Sequence, residues 1–415
     1  MEEGEVIEIA SKIKKSKQVL PNDNDLAIIT HYHATKEASY GDAIEIASRY
    51  TNITDEPTVK NIYDIAQKTM FKNSDIPFPT PAKKLFTFID LFAGIGGFRM
   101  ALQNLGGKCI FTSEWDKYSK QTYFANYGEY PFGDITKDTV KEHIPEHFDI
   151  LCGGFPCQPF SIAGVSKKIS LGRSHGFADE KQGNLFFHIA DIIDKHRPKA
   201  FFLENVKNLV SHDKKQTFKI IKETLEDLGY SFNYKVIDGS SFVPQHRERT
   251  FMIGFDKRVF GESIGFDFSK VKIPEAKQAI KNILQDEVES KYTLSDKLWN
   301  YLQEYAKKHK EKGNGFGFGL VNPEGVSRTI SARYYKDGAE ILIPQVDKNP
   351  RRLTPPEAGA LQGYPIYPIN TQNKARSLRI VVSDNQAYRQ FGNSVVMPLI
   401  QAVGKEVIST IRNGK

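Results

Sequence analysis

Leu85-Phe86-Thr87-Phe88-Ile89-Asp90-Leu91-Phe92-Ala93-Gly94-Ile95-Gly96-Gly97-Phe98 runs from an apolar strand candidate through a glycine turn into a helix candidate. Phe86 to Ile89 carry the strand, and Gly94, Gly96 and Gly97 permit a tight turn with close backbone approach to a ligand. Taken alone, the same pattern also describes an ordinary strand–helix junction. The alternation continues downstream, however, with strand candidates at Cys109 to Thr112, Phe148 to Leu151, Ala200 to Leu203, Tyr234 to Ile237 and Phe251 to Gly254. Between them, Leu185, Phe186, Ile189, Ile192 and Ile193 mark one amphipathic helix, and Phe218, Ile221, Leu225 and Leu228 another. This grammar predicts an α/β, doubly wound, Rossmann-like sheet over 85–261. Ligands of such sheets bind beyond the carboxyl ends of the strands.

Outward from this core the pattern changes twice. Residues 1–84 read as a separate, mostly helical N-terminal extension, with Val59, Ile62, Ile65, Ala66 and Met70 at helical spacing. The extension closes on the proline-rich linker Pro77-Phe78-Pro79-Thr80-Pro81. From 262 to 345 glycine and aromatic residues interleave, as in Gly313 to Gly319 and Ser331 to Gly338, which predicts a smaller, irregular domain of loops and short strands. Residues 346–415 return to an apolar helical pattern that packs back on the core.

Bulk properties exclude several classes. The chain has 415 residues, ample for a buried core. Three cysteines supply no disulfide framework. There is no run of 18 apolar residues, so no membrane partner is expected. The acidic start Met1-Glu2-Glu3-Gly4-Glu5 shows no signal-peptide pattern, and a cytoplasmic protein is the expectation. A net charge of +7 favours a polyanion partner without deciding it. No His/Cys/Asp cluster has metal-ligand spacing, so no metal is expected.

Chemistry-bearing residues collect at the predicted strand ends. Glu114-Trp115 closes the second strand, where a carboxylate can accept two ribose hydroxyls and an indole can stack on adenine. Gly133-Asp134-Ile135 offers an acceptor for an exocyclic amine. The third strand ends in Gly153-Gly154-Phe155-Pro156-Cys157-Gln158-Pro159-Phe160 and the fourth in Glu204-Asn205-Val206. A cysteine and a glutamate at neighbouring strand ends point to a nucleophile paired with a general acid. Burial of Cys157 as a small apolar residue is the plainer alternative.

Six blocks in order complete the picture: Asp90 to Phe98, Pro156-Cys157-Gln158, Glu204-Asn205-Val206, Gln245-His246-Arg247-Glu248-Arg249, Arg352-Leu353-Thr354-Pro355, and Gln390-Phe391-Gly392-Asn393-Ser394-Val395. With these blocks the chain, from Leu85 to about Lys405, resembles the C5-cytosine DNA methyltransferases. Residues 163–168, 170–173, 313–317 and 331–342 are most similar to the Dcm-like enzymes, which act on the inner cytosine of CCWGG.

The resemblance implies a Rossmann-like methyltransferase domain with a target-recognition domain at 262–345, and S-adenosylmethionine as cofactor. Asp90, Phe92, Gly94, Gly96, Gly97, Glu114, Trp115, Asp134, Ile135, Asn393 and Ser394 would surround it. It also implies Cys157 as nucleophile at cytosine C6, Glu204 as donor to N3, and Arg249 at O2 with Arg247 in a supporting or phosphate role. The base that removes the C5 proton stays unassigned. The target cytosine must leave the stack to be reached, and Ser161 to Gln182 reads as a loop closing over it. Gln158, Ser161, Arg173, Lys307, Lys308, Arg328 and Arg333 are the candidate contacts to double-stranded DNA. A monomer working in host DNA modification or restriction-modification is the implied setting, its endonuclease acting on the same site without a stable complex. A non-catalytic DNA-binding relative, an RNA methyltransferase and a dehydrogenase using the glycine turn remain the competing readings.

Overall fold

The computed structural model describes residues 21–50, 56–71, 75–156, 185–262, 264–314 and 317–414. Cys157, Gln158, Ser161 and Arg173 lie outside the described residues. At its centre is a six-stranded sheet: β1 (Phe86–Leu91), β2 (Gly107–Ser113), β3 (Ile150–Gly154), β4 (Ala200–Val206), β5 (Asn233–Asp238) and β6 (Glu248–Phe255), in the order β2-β1-β3-β4-β6-β5. Strands β2, β1, β3 and β4 are parallel, and β6 runs antiparallel to both neighbours. Their near-continuous apolar runs are what a sheet covered on both faces requires. Phe88, Ile89, Ile150, Leu151, Cys152, Phe201 and Phe202 are all fully buried.

Order and register place the site. The chain moves outward from β1 to β2 and then crosses back to β3, so a crevice opens at the ends of β1 and β3. Leu91 pairs with Ser113 on one side and Gly153 on the other, Gly154 pairs with Glu204, and Val206 pairs with Arg249. The carboxyl ends of four parallel strands and the amino end of β6 therefore meet at one edge.

Helices cover both faces. Helices α6 (Leu185–His196) and α7 (Gln216–Asp227) bury their apolar faces on one side. Helix α4 (Gly97–Asn104) lies on the other side with α11 (Met397–Asn413). Gly404 of α11 allows this: a Cβ there would sit 2.9 Å from Leu102 Cδ2. Helix α5 (Lys117–Tyr127) follows β2.

The N-terminal helices α1 (Asp23–Thr35), α2 (Ala43–Ser48) and α3 (Glu56–Met70) were expected to stand apart, yet they share a core with the sheet. Six consecutive residues of α1, Leu26 to His31, are buried, as in a helix packed on several sides. Tyr40 donates to Ile110 O (2.6 Å), and Thr30 Oγ1 accepts from Tyr130 N (2.9 Å). The proline segment is held too. Phe78 N donates to Asn126 O, and Thr80 joins Arg99 and Glu129 in a buried network in which Arg99 meets Glu129 at 2.6 Å.

Beyond β6, residues 262–345 hold the expected loops and a short strand, with short 3-10 turns and, in addition, one long helix, α8 (Asp296–Glu311). Ser295 caps it, and its many charged side chains hide the apolar pattern that would have announced it. Strands β7 (Leu342–Gln345) and β8 (Lys348–Arg352) form a hairpin that leads to α9 (Pro355–Leu361) and α10 (Asp384–Asn393).

His31 gives a pH test of the docked extension. Its Nδ1 lies 2.9 Å from Ala27 O and its Nε2 4.0 Å from Glu129. Burial, partly opposed by Glu129, holds its pKa down at about 4. An unfolded imidazole titrates near 6.5, so acidification protonates the unfolded chain first. The stabilisation is complete above about pH 6.5 and is lost as pH falls towards 4, at a cost of about 3 kcal/mol. Urea denaturation across this window should show the decline in the parent protein and a flatter curve in His31→Gln.

Candidate active site

A cleft of about 940 Å³ opens where the strand ends meet, lined by residues of the glycine turn, of 113–116, 133–137 and 154–156, and by Glu204, Asn205, Arg247, Arg249 and 392–395. Its first half is built on the turn after β1. Phe92, Gly94 and Gly96 all have positive φ, at 56°, 56° and 84°. For Phe92 this left-handed backbone costs about 1–2 kcal/mol, a strain held by the surrounding packing. Glu114 is fixed by two backbone donors, Gly94 N at 2.7 Å and Asp116 N at 2.8 Å. Burial pushes its pKa up, and these hydrogen bonds oppose the rise. Trp115 is 80 % exposed at the cleft rim, and Asp134 and Ile135 form the adjoining wall.

The C-terminal block closes the turn from the other side. A Cβ on Gly97 would lie 2.4 Å from Val395 Cγ2, so the bare glycine lets the two segments meet. Asn393 and Ser394 line the cleft, with Ser394 Oγ 2.6 Å from Tyr364 OH. Asp90 and Gly96 do not line it. Asp90 is fully buried, its Oδ2 accepts from Arg99 N at 3.2 Å, and burial drives its pKa up to about 8. Gly96 packs on the Tyr127 ring. Both residues support the turn from below.

The second half surrounds Glu204. The residue is 7 % exposed, and a Cβ on the paired Gly154 would come within 3.1 Å of Oε2. Arg249 Nε lies 2.9 Å from Oε1, close enough for an ion pair but out of line for a good hydrogen bond. Burial raises the Glu204 pKa, while Arg249 and then Arg247 pull against it. This environment suits a carboxyl group that holds and delivers a proton.

Of the two roles expected for Arg247, the geometry fits the supporting one. Arg247 is 1 % exposed, which rules out a phosphate contact in this conformation. Nη1 donates to Ile330 O (3.0 Å), while Nη2 donates to Gly392 O (2.9 Å) and to Ser394 O. One guanidinium thus ties β6, the 262–345 region and the C-terminal block together. Burial and the neighbouring Arg249 lower its pKa to about 9, so it stays charged at neutral pH.

The sequence reading passed over Asn205. Its Nδ2 donates to Phe155 O at 2.7 Å and its Oδ1 accepts from Val206 N at 2.8 Å. It fixes where the chain leaves β3, two residues before Cys157. Its adjacency to Glu204 was the available signal, but the role lies in the partner. Lys307, Lys308, Arg328 and Arg333 are exposed and none lines the cleft. Their region nevertheless abuts it, since a Cβ on Gly392 would strike the Ser331 carbonyl at 2.3 Å.

The fold is that of solved methyltransferases. It is shared with S. pombe Dnmt2 (TM-score 0.60, 16% identity, 79% of this chain and 99% of that one) and with an Entamoeba histolytica methyltransferase (TM-score 0.57, 17% identity, 79% and 99%). The chain belongs to the C-5 cytosine-specific DNA methylase family, whose profile matches residues 86–409. It is 46% identical to the DNA-cytosine methyltransferase of Escherichia coli K12, over 77% of each chain. It is 42% identical to the type II methyltransferase M.HpaII of Haemophilus parainfluenzae, over 87% of this chain and 97% of that one. The protein is therefore a DNA cytosine-5 methyltransferase.

Arg247→Met should strip three buried carbonyls of their donor and cost about 3 kcal/mol or more. Lys in its place should recover little, because one ammonium cannot match the planar fork. Thermal melts of Arg247→Met and Arg247→Lys read this directly, and a parent-like melting point for either would disprove the bracing role.

Proposed function

We propose that this enzyme transfers the methyl group of S-adenosylmethionine to C5 of a flipped-out cytosine in duplex DNA, through a covalent adduct to Cys157. The observation that carries the reading is Glu204, a desolvated carboxyl beside Arg249 at the strand end next to the one leading into Pro156 and Cys157. The turn side of the cleft suits the cofactor. The exposed Trp115 indole offers a face for adenine, Glu114 is oriented for ribose hydroxyls, and Asp134 with Ile135 borders the adenine edge. When bound, the cofactor supplies an electrophilic methyl group on a sulfonium.

The chain's own residues do the rest. The Cys157 thiolate forms a bond to C6, and the displaced electron pair moves to N3 and O2 as Glu204 gives its proton to N3 and Arg249 faces O2. The enamine carbon C5, made nucleophilic in this way, would form the bond to the methyl group, the S–CH3 bonding pair staying with sulfur. Loss of the C5 proton to a base re-forms the C5–C6 double bond, breaks the C6–S bond with its electron pair returning to the thiolate, and lets N3 give its proton back to Glu204. Asn205 acts here as a positioning residue, holding Phe155. Arg328 and Arg333, with the lysines of α8, contact the duplex.

The resemblance of 163–173, 313–317 and 331–342 to Dcm-like enzymes supports the inner cytosine of CCWGG as the target. Relatives described as type II methyltransferases, M.DsaV at 48% identity and M.SsoII at 47%, support a role in host modification or restriction-modification in the bacterial cytoplasm.

Bisulfite sequencing of plasmid DNA from expressing cells should reveal methylation at one motif, absent with Cys157→Ala. Duplex carrying 5-fluorocytosine at that site should trap the parent protein as an adduct, because fluorine cannot leave C5 as a proton does. A folded parent enzyme that is supplied with cofactor and forms no adduct refutes the covalent route.

Glu204→Gln should lower single-turnover methyl transfer by about 10²–10⁴-fold. In the parent enzyme the acid form is the active one, so the rate falls as pH rises through the Glu204 pKa, which burial has raised. Rate–pH profiles should show that alkaline limb in the parent and none in the Gln variant.

A further inference from the structure

Helix α8 carries a surface stripe that the catalytic chemistry does not use. Tyr301, Tyr305 and His309 recur every fourth residue, with ring centroids 6.0 Å apart for the first pair and 4.3 Å for the second. Tyr301 is 57 % exposed and Tyr305 39 %. Lys297 lies one turn before Tyr301, Lys308 two turns after it and Lys312 three turns after it, so the three ammonium groups flank the rings on one face. All three lysines are exposed, and two acids, Glu304 and Glu311, border them. Lys307 and Lys310 project from the helix away from this face. The buried side is anchored independently, by Leu298, Trp299 and Leu302 against Phe318 and Leu342.

Two observations indicate what covers the stripe. Exposed tyrosines offer apolar area with a polar tip, and interleaved lysines disfavour a cationic or purely apolar partner while matching a polyanion. The helix also stands at the end of a packed path from the cleft. Gly392 abuts Ser331, whose hydroxyl bonds Glu340, and Gly319 packs on the Glu340 carbonyl. Gly317 then contacts Ala306 of α8, while its carbonyl faces Arg328 Nη1 at 3.5 Å.

We propose that α8 lies along the sugar–phosphate backbone of the duplex flanking the target site, with Lys297, Lys308 and Lys312 neutralising phosphates and Tyr301 and Tyr305 packing on sugars. This rests on the reading that the 262–345 region faces the DNA. It narrows the α8 lysines to those sharing the tyrosine face, and it sets Lys307 outside the contact.

The test is a salt series of fluorescence-anisotropy titrations with the whole protein, on a site-bearing duplex with long flanks and on one trimmed to the site. Two charge-matched variants, K308Q/K312Q and K307Q/K310Q, are compared with the parent and with Y301A, after thermal melts show each to be folded. On the long duplex, K308Q/K312Q should reduce the slope of log affinity against log salt by about 0.9 per lysine. On the trimmed duplex that reduction should vanish. K307Q/K310Q should change the slope clearly less, and Y301A should weaken long-duplex binding several-fold with the slope kept. Equal slope changes for the two lysine pairs would reduce the effect to net charge and overturn the proposal, as would an unchanged slope for K308Q/K312Q. Binding is read without turnover, so a parent enzyme that binds but does not methylate strikes at the proposed reaction and not at α8.

Discussion

A single buried guanidinium sets the geometry on which the cleft depends. Arg247 starts from the amino end of β6 and satisfies carbonyls of Ile330, Gly392 and Ser394. Ile330 lies in a loop, and Gly392 and Ser394 stand at the carboxyl end of α10, where carbonyls run out of helical partners, so each oxygen would be costly to bury unpaired. The desolvation of Arg247 is severe enough to lower its pKa to about 9. The structure retains this cation because three backbone acceptors and the nearby Glu204 compensate it. The 262–345 region, the C-terminal block and the sheet edge are thereby held as one body.

The electrostatics of Glu204 follow from the same convergence. Strand register puts it across from Gly154, whose missing side chain lets the carboxylate lie in the gap between strands. Water is largely excluded there, which favours the neutral acid, while Arg249 at 2.9 Å favours the anion. Burial wins, and the pKa of Glu204 lies above the ordinary carboxylate value. A fully exposed glutamate at neutral pH would already have lost its proton.

The N-terminal helices and the proline segment stabilise this edge from behind. Arg99, on the helix that follows the glycine turn, is wholly buried and meets Glu129 and Thr80. Its backbone N–H also caps Asp90, directly below the turn. Packing of the extension is thus transmitted to the glycine-turn side of the cleft through one polar network. A buried pair of this kind adds little net stability by itself, but removing one partner leaves the other charge stranded.

What the sequence by itself determined is the material encoded by local period and local chemistry. The six strands, the glycine turn, the two amphipathic helices and the strand-end residues Glu114, Trp115 and Glu204 were legible because side-chain alternation and glycine freedom act over a few neighbouring residues. Tertiary structure alone decided the residues whose partners lie far away. Arg247 could be read as a support or as a phosphate contact until Gly392 arrives from 145 residues downstream. Asp90 looks like a ligand until its side chain is seen beneath the turn, and Asn205 looks incidental until it meets Phe155 from 50 residues upstream. The extension looks detached because the face that covers α1 belongs to β2 and its neighbours, and α8 looks like a loop because charge masks its few apolar anchors. Long-range pairing of buried polar groups leaves no periodic mark in a chain, which is why those roles appear only once the strands have been brought together.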